Sequence, residues 1–357
     1  MIIESIKLRN FRNYKELELQ FDPKLNIIVG NNAEGKTNIV EAIHFLSLAR
    51  SFRTNENADL IAKGAQYATI EAKIGDLPIK KNIVAQLSSS SKKIICNNKP
   101  VRRISDLSDL VNVIVFEPKD ALMFNDSPSV RRNFLDINIS KRSRKYLDAL
   151  ITHDQLLKER NKILKLEKPD ITQIDVITKQ IVEASEIIVN ERVNYVNEIN
   201  SLLTKIIHAI KGEKESAMLE YHPYIEPGED FLARAYNAYM DKKDDDIKRK
   251  MTSIGIHRED FKMMINNHDV STYGSQGENR ISVIALILSP YFLVSEKEKK
   301  PIIVLDDVMS ELDKNHKERL LGFLRKLGQV FITSTRTNAT NASIYEVENH
   351  IVKRRNA

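Results

Sequence analysis

The sequence predicts an α/β fold in which a helical domain is inserted between two α/β segments, and three observations support this class. Short apolar runs typical of strands occur near both ends of the 357-residue chain. A glycine-containing loop that ends in Lys-Thr joins one of these runs to an apolar helix. Between Gly75 and Gly212 the chain has no glycine, and many apolar residues in this stretch recur at steps of three and four.

The first segment is predicted to consist mainly of strands. Alternation of polar and apolar residues indicates a half-buried sheet, and the apolar run 25–29 indicates a fully buried strand. The dipeptide Asn97-Asn98 separates two such runs and predicts a hairpin turn. The predicted strands are 5–8, 14–21, 25–29, 67–74, 79–87, 92–96, 101–104 and 111–116.

The middle segment is predicted to be helical. From Ile174 to Ile210 apolar residues follow a helical period over roughly 37 residues, which gives a helix on the order of 55 Å long. A second helical stretch covers 146–166, and a turn containing Pro169 separates the two. The pattern favours an antiparallel helical hairpin that projects from the body. A compact helical subdomain with the long helix as its spine is the alternative.

The last segment returns to strands. The dipeptide Asn266-Asn267 predicts a hairpin turn between two of them. Near the end of the chain the order strand–helix–strand predicts parallel strands in a shared sheet. The predicted elements are strands 218–222, 261–265, 270–273, 301–305 and 329–333, and a polar helix 313–327.

Composition sets the broad class and compartment. The net charge of +6 fits a polyanionic partner without establishing one. Cys96 is the single cysteine, so the chain cannot form an internal disulfide, and we expect a reduced, cytoplasmic protein. The longest uncharged stretch, 281–295, is too short to span a membrane. The expected organisation is an N-terminal head part (1–125), an inserted helical arm (126–245) and a C-terminal head part (246–357).

A phosphate-binding loop is predicted at residues 30–37, which match Gly-x4-Gly-Lys-Thr between an apolar strand and an apolar helix. The glycines let backbone N–H groups point at phosphate oxygens, and the helix N-terminus adds partial positive charge. Lys36 would reach the β- and γ-phosphates, and Thr37 would ligate Mg²⁺. The predicted site for ATP and Mg²⁺ comprises Gly30, Asn31, Asn32, Ala33, Glu34, Gly35, Lys36, Thr37 and Asn38.

Two carboxylates, Asp306 and Asp307, follow the apolar run 302–305. In a phosphate-loop fold the first of them reaches the Mg²⁺ ion and the second can orient the attacking water. The alternative is a plain turn or cap at the end of a strand. Because the phosphate loop is present, the pattern favours Asp306 as a metal ligand and Asp307, with Lys36, as catalytic.

A second glycine loop contains Ser275-Gln276-Gly277 and opens an apolar helix. A serine flanked by glycines at a helix N-terminus is an arrangement that can bind an anion. A single head binds one γ-phosphate and needs one such loop for it, whereas two facing heads can each complete the nucleotide site of the other. The loop therefore predicts an ATP-dependent homodimer in which Ser275 and Gly277 face the nucleotide of the partner.

The order of these motifs resembles the ABC-type ATPase heads of the SMC and RecF group. The shared order is phosphate loop, helical insertion, Ser-x-Gly loop, Asp-Asp strand end and the segment Ser310-Glu311-Leu312-Asp313. Accessory segments resemble the RecF family in particular, and this resemblance covers essentially the whole chain. The accessory segments are 8–14, 49–53, 116–120 and 128–136.

The resemblance implies a recombinational-repair ATPase with weak, DNA-dependent hydrolysis. Such a protein binds ATP, dimerises with it, binds duplex DNA at gaps and, with RecR and RecO, helps to load the RecA recombinase. By position, the resemblance places Arg12 near the base, Ser275 on the γ-phosphate of the partner and Asp313 in the loop that crosses between heads.

A dense basic region lies near the start of the predicted arm. Few aromatic residues accompany it, which favours sequence-independent contact with the duplex backbone over stacking on single strands. A solvated helix face is the alternative. The predicted DNA-binding residues are Arg131, Arg132, Lys141, Arg142, Arg144 and Lys145.

Two other functions remain open on the sequence. An SMC-like structural DNA clamp would use hydrolysis to entrap DNA, and its arms should be far longer than this one. A small-molecule phosphotransferase would stay monomeric and would turn over independently of DNA.

Overall fold

The computed structural model describes residues 1–75, 80–103, 106–212 and 214–355. The chain divides into two compact units. Unit 1 comprises Met1–Ala121, Lys205–Lys214 and Arg280–Ala357, and unit 2 comprises Leu122–Thr204 and Glu215–Asn279. The predicted strands 79–87 and 101–104 each include a residue outside the described ranges.

Most of the predicted elements are present. The strands are β1 (Ile2–Phe11), β2 (Tyr14–Gln20), β3 (Leu25–Val29), β4 (Tyr67–Gly75), β5 (Lys81–Ser88), β6 (Lys92–Cys96), β7 (Lys99–Pro100), β8 (Val113–Phe116), β9 (Ala217–His222), β10 (Asp260–Ile265), β11 (His268–Asp269), β12 (Ile302–Leu305), β13 (Val330–Ser334), β14 (Ser343–Glu348) and β15 (Ile351–Arg354). The α-helices are α1 (Lys36–Leu48), α2 (Leu107–Leu110), α3 (Pro128–Ser140), α4 (Arg144–Leu164), α5 (Ile171–Lys211), α6 (Phe231–Asp241), α7 (Lys243–Arg249), α8 (Val270–Tyr273), α9 (Gln276–Leu293) and α10 (Lys314–Leu324).

Unit 1 contains two sheets. Among the described residues, one has six antiparallel strands in the order β2-β1-β4-β5-β6-β7, and the other has six strands in the order β15-β14-β3-β13-β12-β8. Helix α1 contacts strands of both sheets, and its apolar side chains, such as Ile39 and Phe45, are fully buried in the shared core. The predicted α/β class is therefore confirmed. Because α1 is buried along almost its whole length, the loop that precedes it is held at the end of this core.

The second sheet of unit 1 aligns the ends of several strands. Strand β3 pairs in parallel with β13 and β14, and β12 pairs in parallel with β13 and β8, as the strand–helix–strand order predicted for β12 and β13. The carboxyl ends of parallel strands meet at one edge, where α/β proteins bind ligands. The segments that follow β3, β8 and β12 therefore emerge together.

Unit 2 is built around α5, a helix of 41 residues that confirms the predicted long helix. Arg160 near the end of α4 donates to Thr178 near the start of α5 at 3.0 Å, and Arg192 farther along α5 donates to Tyr146 at the start of α4 at 3.0 Å. The two helices therefore run antiparallel. Strand β9 also bonds α5, through Asn200, so unit 2 is a compact subdomain with α5 as its spine.

Residues 270–273 form helix α8, and the predicted strand at this place is wrong. Asp269 accepts the backbone N–H of Ser271 at 2.9 Å, which caps a helical turn and ends the strand before it. The hairpin predicted just upstream is confirmed. Asn266 and Asn267 adopt φ of 49° and 65° and join β10 to β11.

Helix α9 carries most of the uncharged stretch 281–295 and contains Pro290. Its residues from Ile281 to Leu288 are buried in the protein. Across the part of the chain that the structure describes, no helix is long and apolar enough to cross a membrane.

Candidate nucleotide-binding site

A cavity of about 480 Å³ opens in unit 1 where the parallel strands end. Its walls bring together three groups that lie far apart in the sequence: the phosphate loop, the Asp-Asp pair and the loop after β1. The lining residues are Arg12, Asn13, Asn32, Ala33, Gly35, Lys36, Thr37, Asn38, Arg53, Pro118, Asp306, Asp307 and Thr333. Most of the predicted nucleotide-binding and metal-binding residues of this unit thus line the same cavity.

The phosphate loop turns from β3 into α1 through left-handed backbone positions. Ala33 and Gly35 have φ of 70° and 104°. Helix α1 begins at Lys36, directly after the second of these residues, so the positive end of its dipole lies at the cavity. An anion in the cavity would meet both the helix N-terminus and the lysine side chain.

The Lys36 ammonium occupies the centre of this loop. It donates to the carbonyl oxygens of Gly30 and Asn31, at 2.7 Å each. Burial lowers the pKa of Lys36, although the carboxylates of Asp307 and Asp306 act in the opposite direction. A partly buried cation whose hydrogen bonds within the described chain go to neutral carbonyls gains more from a polyphosphate than an exposed lysine would.

Two neighbouring segments brace the phosphate loop. The Tyr14 hydroxyl donates to the Gly35 carbonyl at 3.2 Å, and a Cβ on Gly35 would lie 2.7 Å from that hydroxyl. On the other side, the Asn349 N–H donates to the Glu34 carboxylate at 2.5 Å, and a His350 ring nitrogen lies 2.9 Å from the Glu34 carbonyl. The loop is therefore held in shape by the chain itself, which lowers the cost of ordering it around a ligand.

Asp306 lies beside two hydroxyl groups. Thr37 donates to its carboxylate oxygens at 3.0 and 3.1 Å, and Thr333 donates at 2.5 Å. Burial raises the pKa of Asp306, while the hydrogen bonds from Thr333 and Thr37 act in the opposite direction. One carboxylate and one hydroxyl at a phosphate site are the protein ligands that Mg²⁺ commonly takes, with waters and phosphates completing six positions. Thr37 and Asp306 therefore fit the predicted metal role.

Asp307 follows in a left-handed conformation, with φ of 49°. Its N–H donates to Thr333 at 2.9 Å, and its carbonyl accepts from Arg280 at 2.9 Å. Arg280 is itself buried and ion-paired with Glu311. The backbone of Asp307 is thus fixed from two sides. Its carboxylate lines the cavity and accepts no hydrogen bond from any described residue.

Glu117 is a further carboxylate at the same sheet edge, directly after β8. Burial raises its pKa to about 7, with repulsion from Asp120 and Asp306 in the same direction, while the Lys119 ammonium at 2.8 Å opposes the shift. Burial likewise raises the pKa of Asp120 to about 6. Of these two acids, Glu117 interacts with Asp306 and has a pKa near neutral pH.

Arg12, predicted to lie near the base, does line the cavity. Its guanidinium bonds both oxygens of the buried Glu41 carboxylate, at 2.6 and 2.8 Å, and the Asp59 carbonyl at 2.8 Å. Arg53 donates to Asn38 at 3.0 Å and lies 3.6 Å from Glu41. Two arginines thus share one carboxylate on helix α1 and are oriented by it.

Sequence reasoning missed Thr333 and Arg53 as site residues. Thr333 ends β13 and joins the cavity only because β13 lies beside β12. Arg53 lies in the accessory segment 49–53, whose resemblance to the RecF family does not by itself indicate a role for this side chain. Parallel pairing of the predicted strand ends was the available signal for Thr333. No local pattern marked Arg53.

The other predicted nucleotide residues are not among those that line this cavity: Gly30, Asn31 and Glu34 of the phosphate loop, and Ser275, Gly277 and Asp313. Ser275 and Gly277 belong to unit 2 and are exposed, and Ser275 accepts the N–H of Glu278 at 3.2 Å at the start of α9. Asp313 is exposed in unit 1 and caps α10 by accepting the N–H of His316 at 3.0 Å. The side chains of Ser275 and Asp313 are therefore open to solvent within their own units.

The predicted DNA-binding cluster requires a correction. Arg131 is buried, bonds both oxygens of Asp260 at 2.7 and 2.8 Å, and donates to backbone carbonyls as well. Its prediction as a DNA contact is wrong, because its guanidinium is already used inside unit 2. Arg132 is half-buried and donates to the Glu259 carbonyl at 2.7 Å.

The other members of the cluster lie nearer the surface of unit 2. Arg142 pairs with Glu198 at 2.6 Å, and Arg144 pairs with Asp148 at 3.0 Å. Lys145 is exposed, and Lys141 is half-buried. The cluster is therefore partly neutralised by its own neighbours, and its role in DNA binding stays a prediction.

Comparison with curated proteins decides the family. The chain is 36% identical over 372 residues to the DNA replication and repair protein RecF of Halalkalibacterium halodurans, covering 99% of this chain and all of that one. It is 36% identical to the protein of the same name from Clostridium botulinum, covering 95% and 94%. The chain belongs to the RecF family. The model of the RecF/RecN/SMC N-terminal domain matches residues 2–356, in agreement.

Solved structures support the same assignment. A RecF structure described with ATP in the RecFOR pathway matches this chain with a TM-score of 0.88 and 30% identity, covering 99% of this chain and 98% of that one. The SMC head from Pyrococcus furiosus matches with a TM-score of 0.60 and 18% identity, which shows a shared fold. The RecF-family identification and the ABC-type head with a helical insertion, both predicted from motif order, are therefore confirmed.

Proposed function

We propose that this RecF-family chain is an ATP-switched, DNA-binding repair protein. ATP with Mg²⁺ would join two heads, the dimer would hold duplex or gapped DNA, and weak hydrolysis would release it. The observation that carries the proposal is the convergence of Lys36, Thr37, Asp306 and Asp307 on one braced cavity. The solved RecF structure described with ATP supports the choice of nucleotide.

Nucleotide binding follows from the geometry of the loop. Lys36 would exchange the carbonyls of Gly30 and Asn31 for β- and γ-phosphate oxygens. Thr37 and Asp306 would hold Mg²⁺, which offsets the phosphate charge when bound. Arg12, fixed on Glu41, would contact the base side of the nucleotide.

Hydrolysis in this proposal depends on Asp307. Its carboxylate accepts no hydrogen bond from the described residues, so it is available to orient a water and accept its proton. Hydrogen bonds with Thr333 and Arg280 hold the backbone of Asp307 in place. Turnover by one head would be weak, since the γ-phosphate also needs the Ser-x-Gly loop of a second head.

Dimerisation is supported by exposed polar groups. Ser275 and Gly277 at the start of α9 are exposed, and so is Asp313. A helix N-terminus with an exposed serine suits a phosphate brought by another molecule. We assign Ser275 and Gly277 to the γ-phosphate of the partner, and Asp313 to the crossing between heads.

The partners in this proposal follow the relatives. RecF structures described within the RecFOR pathway support RecR and RecO as partners of this chain. With them, the ATP-bound dimer at a gap would assist loading of the RecA recombinase, and contact with DNA would stimulate its hydrolysis. The cluster from Arg132 to Lys145 is proposed as a peripheral contact with the duplex.

We further propose that one head is interrupted by the arm. Residues 1–125 and 246–357 would be its two parts and 126–245 the insertion, with residues 246–279 packing in unit 2, where β10 pairs with β9. Pairing of β3 with β13 and β14 supports this division, because strands from both ends of the chain complete one sheet.

One experiment tests the proposal as a whole. Parent and Lys36→Ala are compared for ATP affinity, for mass by light scattering with ATP or ADP, and for binding to a gapped duplex. We expect the parent to dimerise and bind DNA with ATP, and Lys36→Ala to lose ATP binding and both responses.

Two other outcomes would indicate a different function. A parent that hydrolyses ATP as a monomer, at a rate that DNA does not change, would indicate a phosphotransferase. A parent that stays topologically locked on circular DNA after ATP is spent would indicate a clamp. Helix α5, about 60 Å long, is short for that role.

A further inference from the structure

A groove of about 770 Å³ lies in unit 1 between helix α10 and the segment 334–340. It shares no lining residue with the nucleotide cavity. Four cations line it, Lys314, Lys317, Arg325 and Arg336, against one carboxylate, Glu318. The groove therefore carries a net charge of about +3, which favours a polyanion.

Three of the four cations, Lys314, Lys317 and Arg336, have side chains that can bind a ligand without breaking an internal bond seen among the described residues. Among the described residues, no hydrogen bond or ion pair holds the side chain of Lys314, Lys317 or Arg336. Arg336 and Lys314 are exposed, and Lys317 is half-buried. Cations without internal partners keep their full charge for a ligand, in contrast to the paired Arg142 and Arg144 of unit 2.

Arg325 adds a guanidinium group whose hydrogen-bond donors are only partly satisfied by the described residues. One terminal nitrogen donates to the Thr340 carbonyl at 2.5 Å, while the buried Nε has no partner among the described residues. Leaving a guanidinium N–H unpaired away from water is unfavourable. A phosphate oxygen in the groove would supply an acceptor of the kind that arginine prefers.

The arrangement on α10 suits a repeating anion. Lys314, Lys317 and Leu321 follow steps of three and four, so they share one face of the helix with Arg325. From Lys314 to Arg325 the helix rises about 16 Å. Phosphates of one strand of a duplex follow each other at about 3.4 Å along its axis, so several would fit this length.

We infer that this groove binds the phosphate backbone of duplex DNA. The inference rests on the proposed DNA-binding function and places its main electrostatic contact on unit 1. The same two loops that supply the nucleotide cavity continue into the groove: Asp306 and Asp307 precede Met309 and Ser310, and Thr333 precedes Ser334. A change at the nucleotide therefore has a short covalent path to the DNA contact.

The test is the triple variant Lys314→Gln, Lys317→Gln and Arg336→Gln in the full chain, which we call the groove variant. Because these side chains form no hydrogen bond or ion pair with the described residues, their replacement removes no polar contact seen in the fold. Binding to a gapped duplex is measured with ATP over a salt series. We expect the slope of log K against log salt to fall by about 0.9 per lost contact, and affinity to fall roughly tenfold per contact at 0.1 M salt.

The matched control removes three charges from exposed lysines of unit 2 that have no assigned role in binding: Lys162→Gln, Lys165→Gln and Lys168→Gln. It should keep most of the salt slope. Equal slopes for the groove variant and the parent would overturn the inference while leaving ATP-dependent DNA binding intact. A parent without DNA binding would instead refute the proposed function.

Two further measurements exclude other uses of the groove. ATP-induced dimerisation of the groove variant should match the parent by light scattering. Loss of dimers would assign the groove to the head interface and overturn the inference. Poly-glutamate should compete weakly with duplex. If the parent binds poly-glutamate more tightly than duplex at the same salt, and only that binding is lost in the variant, the occupant is an acidic protein segment.

Discussion

Thr333 donates its hydroxyl to Asp306 across 2.5 Å and so links the ends of two neighbouring parallel strands. The same oxygen accepts the backbone N–H of Asp307 at 2.9 Å. One hydroxyl therefore orients the proposed metal ligand and the backbone of the proposed catalytic residue at once. Phosphate binding itself does not require it, so its removal should affect the metal and the water selectively.

Thr333→Val should weaken Mg·ATP binding while the fold survives. Valine has nearly the same shape and suits a buried strand, but it removes one of the hydrogen bonds to Asp306, which keeps those from Thr37, and it removes the acceptor of the Asp307 N–H. Loss of a hydrogen bond to a charged group costs about 1.5–3 kcal/mol, or roughly 10- to 150-fold in affinity. Titration calorimetry with and without Mg²⁺ measures this. Thr333→Ser is the control and should bind like the parent; unchanged Mg·ATP affinity in the valine variant would contradict the assigned role.

Asp307→Asn and Asp306→Asn should fail differently. Asp307→Asn keeps the shape but removes the base, so ATP binding and dimerisation persist while hydrolysis falls about 10²- to 10⁴-fold. Asp306→Asn should instead weaken Mg·ATP binding itself. Dissociation from DNA after an ATP chase, at one fixed salt, should be slower than the parent for Asp307→Asn. Equal residence times with undiminished hydrolysis would reduce Asp307 to a strand-end cap.

Ser275→Arg should abolish ATP-induced dimers and leave nucleotide affinity of the monomer nearly intact. The Ser275 side chain is exposed and makes one capping bond, to the Glu278 N–H, so the fold loses about 1 kcal/mol. The bulky cation would stand where the second head must close. Ser275→Ala removes the same bond without the bulk and serves as the control. If light scattering still detects ATP-dependent dimers of the arginine variant, this loop faces no partner.

Glu117→Gln should change how stability varies with pH. The pKa of Glu117 rises from 4.5 in the unfolded chain to about 7 in the fold, so the native state holds a proton that the unfolded chain has lost between these values. Stability from this group is therefore complete below pH 4.5 and is lost as pH rises to about 7, by up to about 3 kcal/mol. Melting temperatures from pH 5 to 8 should show a smaller decline for Glu117→Gln. Glu229→Gln, at an exposed site, should follow the parent; identical slopes for all three proteins would refute the buried-acid account.

Local motifs made much of the site predictable. The phosphate loop lies within eight consecutive residues, 30–37, and Asp306 follows an apolar strand directly, so both stand out without a fold. Thr333 and Arg53 could not be found this way, since strand pairing and loop packing bring them to the cavity. Arg131 was wrongly assigned because its partner Asp260 lies 129 residues away in the chain, and burial of that kind leaves no mark in the local sequence.

The long helices were predictable because their period repeats over many turns. The error at 270–273 arose because a single hydrogen bond, from the Ser271 N–H to Asp269, outweighed the strand propensity of a short run. The choice between a bare hairpin and a compact subdomain depended on polar contacts such as Arg160 with Asp246, at 2.8 Å, which join segments that no periodicity relates.

Pairing of β3 with β13 and β14 has a consequence for biosynthesis. During translation, Leu25 leaves the ribosome some three hundred residues before its partner Val330 exists. The central sheet of unit 1 therefore cannot close co-translationally around its own first strands, whereas nearly all of unit 2 is complete once Asn279 has emerged. Such sequence-distant pairing slows folding and leaves β3 exposed as an apolar edge in the nascent chain. We expect a newly made chain to depend on chaperones until its last strands arrive, and C-terminal truncations to aggregate.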